Sequence, residues 1–453
     1  MNAETVKIMI QKAGAALSKA AAKLPGALKK RFRFRLPGKL GALFSKARTI
    51  SIDKVLWIWA LVMVGGLLLF KIISGNIPGM GTTLVFAQWW DDQMENPVLE
   101  TLAREFESQN PGVTVKLEHM NWPEIRELLD TEKPDENTVP DIFSVDPIRE
   151  PESRSYLMPF ETGNGTDAAS NMGAPVISFI NLLFYNIDLL QEAGFDRPPK
   201  NQTEFLSYAQ RISQTGSGIY GAGLALENGD PHNVRRYLLS WIWAAAGNHE
   251  TMEDFNFNSR QVIAVLIFLN QLKQNIYPNP FSLTRGELLK AFSEGKVGMI
   301  IGSIADAGEF KAAMRGNFGI TTIPGPESYT RKPVFPLTGW YVGINRKTEY
   351  PEEARKFAAF LKDRAGTIAA EAYAVPGNGR RNPDLSRADP VYAKAFDMYE
   401  AGEMVQERVF GSMLNMNGVV RGEVEKMLSG LISPEQCAEA MQQSWETIRN
   451  SGS

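Results

Sequence analysis

The sequence predicts an α/β protein preceded by one transmembrane helix, on the basis of two patterns. Residues 55–70 (VLWIWALVMVGGLLLF) are uncharged and mostly apolar, and a strongly basic segment precedes them. Beyond residue 81, short apolar segments alternate with amphipathic segments of helical period. Such an alternation of strands and helices is typical of an α/β architecture with a mainly parallel sheet.

The apolar segment has the length of a membrane span. At a rise of about 1.5 Å per residue, residues 55–73 extend about 28 Å, close to the roughly 30 Å of a bilayer's hydrocarbon core. Residues 1–54 contain thirteen Lys and Arg against two acidic residues, whereas Lys71 is the only cation from residue 55 to residue 103. The positive-inside rule therefore predicts a cytoplasmic basic leader (1–54), a single-pass anchor in the cell membrane (55–73) and an extracytoplasmic remainder.

A cleaved signal peptide is the alternative to a retained anchor, with Gly79-Met80-Gly81 as its best candidate site. Signal peptides have a short cationic region followed by a short apolar region and a small-x-small cleavage site. Here the cationic region is more than fifty residues long. We therefore favour the retained anchor.

Composition restricts the chemistry of the exported part. The whole chain carries a formal charge of −3 and the leader +11, so residues 55–453 carry −14, which disfavours nucleic acid as a partner. Cys437 is the only cysteine, and the three histidines share no metal-ligand spacing. We therefore expect neither disulfide, nor metal, nor cofactor, and packing must supply the stability.

The first part of the exported chain predicts β-α units. Residues 82–88 (TTLVFAQ) form an apolar strand, and residues 98–109 place their apolar side chains on one helical face before the stop at Asn110-Pro111-Gly112. This order predicts a right-handed β-α-β crossover. A strand, a helix and a strand follow at 113–117, 123–129 and 141–145.

The rest of the chain predicts a helix-rich half and then a return to alternating elements. Residues 176–186 (VISFINLLFYN) are a continuous apolar run that suits a strand buried on both faces. Thr203 is the predicted cap of a helix at 204–214. The other predicted helices lie at 187–193, 231–246, 260–274, 283–293, 351–363, 392–401, 412–428 and 434–448, and the other strands at 297–301, 318–322 and 339–344.

Short motifs accompany these elements from residue 82 to residue 448. They are Leu99-x-x-x-Ala103-x-x-Phe106-Glu107, Asn110-Pro111-Gly112-Val113, Pro140-Asp141-Ile142-Phe143, Phe184-Tyr185-Asn186, Phe292-x-x-Gly295-Lys296-x-Gly298-Met299, Ile323-Pro324-Gly325-Pro326, Thr338-Gly339-Trp340-Tyr341-Val342-Gly343-Ile344 and Pro351-Glu352-Glu353-Ala354. In this order and spacing, the motifs resemble bacterial extracellular solute-binding proteins of the sugar-importing type, the family that includes maltose-binding protein.

The resemblance implies a two-lobe periplasmic-binding-protein type II fold, whose lobes close on a ligand by hinge motion. By the family's layout, lobe 1 comprises residues 82–174 plus 319–363, and lobe 2 comprises residues 175–318 plus 364–449. Family members on a cell surface deliver a captured small-molecule solute to the permease subunits of an ABC importer. We therefore expect a membrane-anchored binding protein for a carbohydrate-like solute rather than an enzyme, and the chain has no G-x-x-x-x-G-K-[ST] motif.

Aromatic and acidic side chains follow two of the predicted strands. A sugar needs flat apolar surfaces for its C–H faces and fixed hydrogen-bonding groups for its hydroxyls. Trp89, Trp90 and Asp91 follow the first strand, and Asp146 follows the strand at 141–145, at the ends where open α/β sheets bind ligands. We expect them to bind the solute, although one of the adjacent tryptophans is expected in the core, and Asp146 has turn capping as its alternative role.

Four further candidates are Glu227, Trp241, Trp340 and Arg380. Glu227 precedes the helix of Trp241, in a region where the family's second lobe often contacts solute. Trp241 and Trp243 lie about 200° apart on that helix, so both cannot face the cleft. Trp340 matches a cleft position of the family, beside Gly339, which lets backbone approach closely. Arg380 either reaches a polar group of the solute or stays solvated.

Other functions remain open at this point. Ile304 stands where many sugar binders of the family have a cleft aromatic, which leaves a monosaccharide or another polyol-like solute open. An acidic cleft with tryptophans would also suit a polyamine. A retained anchor is unusual for a transport shuttle, so a ligand-binding ectodomain for sensing is the alternative. A glycosidase would need paired carboxylates, and no spacing among Asp and Glu singles out a pair.

Overall fold

The computed structural model describes residues 81–94, 96–131, 139–146, 153–159, 173–230, 232–246, 255–327, 334–406 and 413–451. The predicted basic leader at 1–54 and the predicted anchor at 55–73 lie outside these ranges. Among the helices within them, none combines the length and the apolar character that a membrane span requires.

The first group of strands is built around β1. β1 (Thr82–Gln88) pairs in parallel with β2 (Val113–His119) on one side and with β3 (Ile142–Val145) on the other. β3 then pairs antiparallel with the end of the long strand β8 (Val334–Ile344). Helix α1 (Val98–Gln109) connects β1 to β2, as the sequence predicts. These elements belong to lobe 1.

The sheet of lobe 1 is covered on both faces. On one face, Leu84 and Phe86 of β1 pack with Phe106 of α1. On the other face, Ala87 packs with residues of helix α2 (Trp122–Asp130). Burial on both faces is the reason that β1 is a nearly continuous apolar run rather than an alternating one.

The strand β4 (Ala174–Asn186) passes from lobe 1 to lobe 2. From Ala174 to Ile180 it pairs with β8, and from Asn181 onward it pairs with β6 (Val297–Ser303) and β7 (Phe318–Thr321). Because β4 belongs to both groups of strands, it is apolar along nearly its whole length. Its side chains pack first in the core of lobe 1 and then in that of lobe 2.

Lobe 2 contains the larger hydrophobic core. Its strand β5 (Tyr220–Gly223) pairs in parallel with β6. The rings of Phe205 and Trp241 contact each other edge to face at a centroid distance of 4.9 Å, and Phe268 packs against both. Such large aromatic side chains contribute much of the area that a core buries.

Helices account for most of the remaining structure. They are α3 (Ile187–Glu192), α4 (Gln202–Ile212), α5 (His232–Val234), α6 (Ser240–Ala246), α7 (Arg260–Leu272), α8 (Arg285–Ser293), α9 (Asp306–Met314), α10 (Pro351–Asp363), α11 (Ala365–Glu371), α12 (Pro383–Ala388), α13 (Pro390–Ala401), α14 (Met413–Leu428) and α15 (Pro434–Ser451). Two short strands, β9 (Val375–Pro376) and β10 (Glu403–Gln406), pair with β4 and β8. The predicted bounds of α1 and α10 are confirmed to the residue, because proline marks each start.

The prediction of a mainly parallel sheet is wrong. Among the strands that the structure describes, four pairings are parallel and five are antiparallel. β4 is antiparallel to each of its partners β6, β7, β8 and β9. The local pattern indicates β-α units, but the direction of a crossing strand depends on partners that are distant in sequence.

Two local predictions in lobe 2 also differ from the structure. The predicted cap Thr203 lies inside α4, and Asn201 caps the helix instead, since its Oδ1 accepts a hydrogen bond from Glu204 N at 2.8 Å. The helix predicted at 231–246 is interrupted by a π-helical turn, Arg235–Leu239. A π-helical turn inserts one extra residue into a helix and is frequent at functional sites.

Packing assigns two segments differently from the predicted lobe boundaries. β7 pairs with β4, and its Phe318 and Ile320 belong to the core of lobe 2, although the predicted boundary at 318/319 divides this strand. Ile368 and Ala369 of α11 belong to the core of lobe 1, although the prediction starts lobe 2 at residue 364. We therefore propose that the chain changes lobes after β7 and again after α11.

Asn186 ends β4 and caps α3, and its loss should be measurable. Its Oδ1 accepts a hydrogen bond from Leu189 N at 3.1 Å, and the side chain is buried. Because Asn186→Ala leaves that amide without its partner, we expect the free energy of unfolding to fall by about 1 kcal/mol. Urea unfolding tests this, with the exposed Asn258→Ala as matched control, and equal stability of the two variants would contradict the prediction.

Glu204 at the start of α4 should contribute to stability in a pH-dependent way. Arg197 donates two hydrogen bonds to its carboxylate, at 2.7 and 2.9 Å, and these lower the pKa of Glu204 from 4.5 to about 2. A lowered folded-state pKa stabilises the fold above the unfolded pKa, and that contribution disappears as the pH falls through the folded pKa.

We expect Glu204→Gln to unfold more easily than the wild type by on the order of 1 kcal/mol near neutral pH. The difference should shrink as the pH falls from 4.5 towards 2. Urea unfolding across this range measures it, and a difference that does not change with pH would be evidence against the assignment.

Candidate functional site

A cavity of about 520 Å³ lies between the two lobes. Trp89 and Asp146 reach it from the ends of β1 and β3 in lobe 1, and Ser303 and Asp306 reach it from the end of β6 in lobe 2. These are the carboxyl ends of strands, where open α/β sheets bind their ligands. The volume lies within the range of about 300–1,000 Å³ that is typical of small-molecule sites.

The crossing strands contribute an aromatic wall to the cavity. Trp340 of β8 and Phe179 of β4 line it, and their rings meet edge to face at a centroid distance of 5.5 Å. Gly339 precedes Trp340, and a Cβ atom there would lie 2.3 Å from the carbonyl oxygen of Ile177. Only glycine therefore permits β8 to approach β4 this closely beside the cavity.

The two adjacent tryptophans have different roles. Trp90 is fully buried, and its ring stacks on that of Trp340 at a centroid distance of 5.1 Å and an interplanar angle of 6°. Trp89 is half-buried and lines the cavity. The backbone N–H of Trp90 donates to Oε1 of Gln88 at 2.6 Å, which holds the turn that separates the two rings. As expected from the sequence, one of the pair belongs to the core.

Asp146 and His232 connect the lobes across the cavity. His232 Nε2 lies 3.0 Å from Asp146 Oδ2, within hydrogen-bonding distance. Asp146 follows β3 of lobe 1, whereas His232 begins α5 of lobe 2. The backbone N–H of His232 also donates to Asp230 Oδ1 at 2.8 Å. These polar side chains line the cavity, where they can bind hydroxyl groups.

Two arginines and two aspartates from lobe 2 complete the polar wall. Arg285 Nη2 donates to Asp306 Oδ1, and the backbone N–H of Ser303 donates to Asp306 Oδ2 at 2.8 Å. Arg236 Nη1 lies 3.9 Å from Asp230 Oδ2, too far for a hydrogen bond. Behind this wall, burial lowers the pKa of Arg235 to about 10, while the charge of Asp146 acts in the opposite direction.

The structure brings three of the eight predicted site residues to this cavity: Trp89, Asp146 and Trp340. All eight lie in the described ranges, and the other five are not among the lining residues. Asp91 is exposed, and its Oδ1 lies 2.8 Å from His119 Nδ1. Arg380 is exposed in the segment that follows β9. Glu227 is half-buried in the loop before α5.

The positions of Trp90 and Trp241 differ most from the prediction. Trp90 lies behind Trp340 rather than against the cavity. Trp241 is 1 % exposed and packs in the core of lobe 2, and Trp243 is 2 % exposed in the same core. Helical geometry allows one of these two rings in the cleft, but both are buried because α6 packs within the core of lobe 2.

Several lining residues are not predicted from the sequence: Phe179, His232, Arg236, Arg285, Ser303 and Asp306. The strand-end rule that identifies Asp146 would also have identified Asp306, which follows β6 after two residues. No comparable signal exists for Arg236, since its direction depends on the π-helical turn. Arg285 opens α8 and meets Asp306 only through the fold.

Comparison with known proteins is consistent with this geometry. The family described as "Bacterial extracellular solute-binding protein" matches residues 90–368. A binding protein of Brucella abortus (strain 2308) is 22 % identical over 247 residues, which are 50 % of this chain and 60 % of that protein. The chain thus matches about three fifths of that relative's length.

Two further relatives match over more of their length. The Escherichia coli (strain K12) protein YcjN, named as an ABC transporter periplasmic-binding protein, is 23 % identical over 381 residues, 76 % of this chain and 84 % of that protein. The solved structure of the sugar-binding protein MalE from Xanthomonas citri superposes with a TM-score of 0.66 at 20 % identity, covering 82 % of this chain and 98 % of that chain. The fold is therefore the two-lobe fold of periplasmic binding proteins.

Proposed function

Since the chain belongs to the bacterial extracellular solute-binding protein family, we propose that it captures a carbohydrate-like solute between its lobes and delivers it to an ABC importer. In this role the protein binds its solute without chemical turnover. The names of two relatives support the proposal, because one is a sugar-binding protein and the other an ABC transporter periplasmic-binding protein.

The cavity between the lobes is the observation that carries this proposal. Trp89 and Trp340 offer aromatic surface for the C–H faces of a sugar ring. Asp146, His232 and Ser303 offer hydrogen-bond donors and acceptors for its hydroxyls. Because the lining comes from both lobes, a bound solute would contact both of them. Such a solute shifts a hinge-bending protein towards its closed conformation.

Arginine in the lining argues against the polyamine alternative. Arg236 and Arg285 both line the cavity, and Arg285 already occupies Asp306. Three aspartates also line the cavity, but each already interacts with a protein group, so their attraction for a polyamine is reduced while the two guanidinium groups repel it. We therefore favour a carbohydrate-like solute over a polyamine.

Titration calorimetry of the purified full chain tests the proposal. The panel consists of hexoses, pentoses, disaccharides, sugar alcohols and sugar acids, with spermidine as the polyamine. We expect at least one carbohydrate to bind, and Trp89→Ala to weaken it by about tenfold, since loss of a stacking surface costs on the order of 1.4 kcal/mol. The matched control is Tyr350→Ala, which removes an exposed ring away from the cavity lining.

Three results of this titration would contradict or change the proposal. A folded chain that binds no carbohydrate, neutral or acidic, would contradict it. Binding of spermidine alone would favour the polyamine alternative. If Trp89→Ala binds the sugar with unchanged affinity, the solute does not bind in this cavity.

We also propose that residues 55–73 anchor the protein in the cell membrane, with residues 1–54 in the cytoplasm. The support is the sequence itself: an apolar segment of spanning length behind a leader of charge +11. Alkaline washing of membranes separates anchored from peripheral protein. A chain that is recovered in the soluble fraction would contradict the anchor, and a mature N-terminus near Gly81 would show cleavage instead.

A further inference from the structure

The cavity's carboxylates already have partners within the protein. Asp306 accepts hydrogen bonds from Arg285 and from Ser303 N. Asp146 interacts with His232 Nε2, and Asp230 accepts from His232 N. Although three aspartates line the cavity, each thus already interacts with a protein group, which reduces its attraction for a cationic solute.

The guanidinium groups are in the opposite situation. Arg236 has a side chain that is 11 % exposed, and neither its Nε nor its Nη1 has a hydrogen-bond acceptor among the described residues. Arg285 uses Nη2 on Asp306, but its Nε likewise has no acceptor in the described part of the chain. A guanidinium group has donors only and no acceptor, so these N–H groups can be satisfied only by an acceptor on another group. Beside the cavity, guanidinium N–H groups are therefore left without an acceptor on the described residues, and a solute can supply one.

A carboxylate is the group that best meets this need. It offers two oxygens with about four acceptor positions in one plane, which matches the planar fork of a guanidinium group and forms charge-assisted hydrogen bonds. A sugar hydroxyl offers a single oxygen without charge. A phosphate carries up to two negative charges, and the three lining aspartates oppose the second charge more than they oppose a single carboxylate.

The tryptophans of the cavity indicate which kind of molecule carries the carboxylate. Trp89 and Trp340 line the same cavity as the arginines, so one small molecule can contact rings and guanidinium groups together. On the premise of the proposed function, we propose that the solute is a carbohydrate that carries a carboxylate, such as a hexuronate. Arg236, supported by Arg285, binds this carboxylate, while the sugar ring lies against the tryptophans.

Paired titrations of the full chain test this inference. D-Glucuronate is compared with D-glucose, and D-galacturonate with D-galactose, by calorimetry in the same buffer. We expect one uronate to bind at least about tenfold more tightly than its neutral partner, the factor that corresponds to one charge-assisted hydrogen bond. We also expect this preference to decrease with added salt, since the interaction is between charges.

Variants identify the residue responsible. Arg236→Gln should remove the preference for the uronate while the neutral sugar changes less, and Arg236→Lys should restore part of it through its charge alone. Arg387→Gln is the matched control, because Arg387 is 77 % exposed and pairs only with Asp384 three residues earlier among the interactions described. The circular dichroism spectrum of each variant establishes that it is folded.

The possible failures are distinguishable. If a neutral sugar binds as tightly as its uronate, the inference is overturned while the proposed carbohydrate function stands. If no sugar of either kind binds to the folded chain, both are overturned. If a uronate is preferred but Arg236→Gln keeps the preference, the assignment of the carboxylate to Arg236 is overturned.

Discussion

Replacing Trp340 by alanine is expected to lower the free energy of unfolding by about 3–5 kcal/mol, the usual cost of truncating a buried tryptophan. The side chain is 4 % exposed and stacks on Trp90 at 5.1 Å, with Phe179 against its edge. Its removal would leave Trp90 beside an enlarged cavity. Because β8 carries Trp340 where it pairs with β4, the loss falls at the connection between the lobes.

Urea unfolding followed by circular dichroism measures this effect. Trp340→Phe keeps a ring in contact with Trp90 and is expected to cost less than the alanine variant. Leu431→Ala serves as control, since Leu431 is 75 % exposed and its truncation should change stability by no more than about 0.5 kcal/mol. If Trp340→Ala and Leu431→Ala have the same stability, the stacked wall of the cavity is not a packed structure.

Replacing Asp306 by alanine is expected to have an effect of similar size, about 3–5 kcal/mol. The side chain of Asp306 is 4 % exposed and holds both Arg285 and the backbone of Ser303. Without it, a partly buried guanidinium group loses its counter-ion and a buried N–H loses its acceptor. Both losses occur at the wall of the cavity, so the site should lose its shape along with its stability.

A double variant separates the pair interaction from the loss of a side chain. When one partner of a buried ion pair is removed the other remains as an uncompensated charge, but removal of both avoids this cost. We therefore expect Arg285→Met with Asp306→Ala to be more stable than Asp306→Ala alone. Urea unfolding of the two single variants and the double variant forms a thermodynamic cycle. Strictly additive losses would mean that the two side chains do not interact.

The elements that the sequence predicts well are those with strong local signals. α1 begins after Pro97 and ends before Pro111-Gly112, and its apolar residues share one face. By contrast, α9 and β5 have no local signal: the apolar residues of α9 show little helical periodicity, and β5 has two glycines in four residues. Such elements form because neighbouring segments pack against them or pair with them, as β6 pairs with β5.

The candidate site likewise contains residues that have a local sequence signal and residues that have none. Trp89 and Asp146 could be predicted, because the carboxyl end of a strand is visible in the sequence and is also where such folds bind ligands. Trp241 could not be placed, since a tryptophan on an apolar helix suits a core as well as a cleft. The glutamate and arginine predictions, Glu227 and Arg380, rest on loop positions whose direction no local pattern determines.

Local sequence patterns are sufficient to predict the charge asymmetry around an apolar segment, the α/β class, the family resemblance and three residues of the cavity lining. The mixed direction of the strands, the buried positions of Trp90 and Trp241, and the polar wall of Arg236, Arg285 and Asp306 depend on contacts between distant parts of the chain. The two groups of features differ in the range of the interactions that produce them. Helical period and strand ends are local, whereas a cavity forms where β4 and β8 bring together side chains that are far apart in the chain.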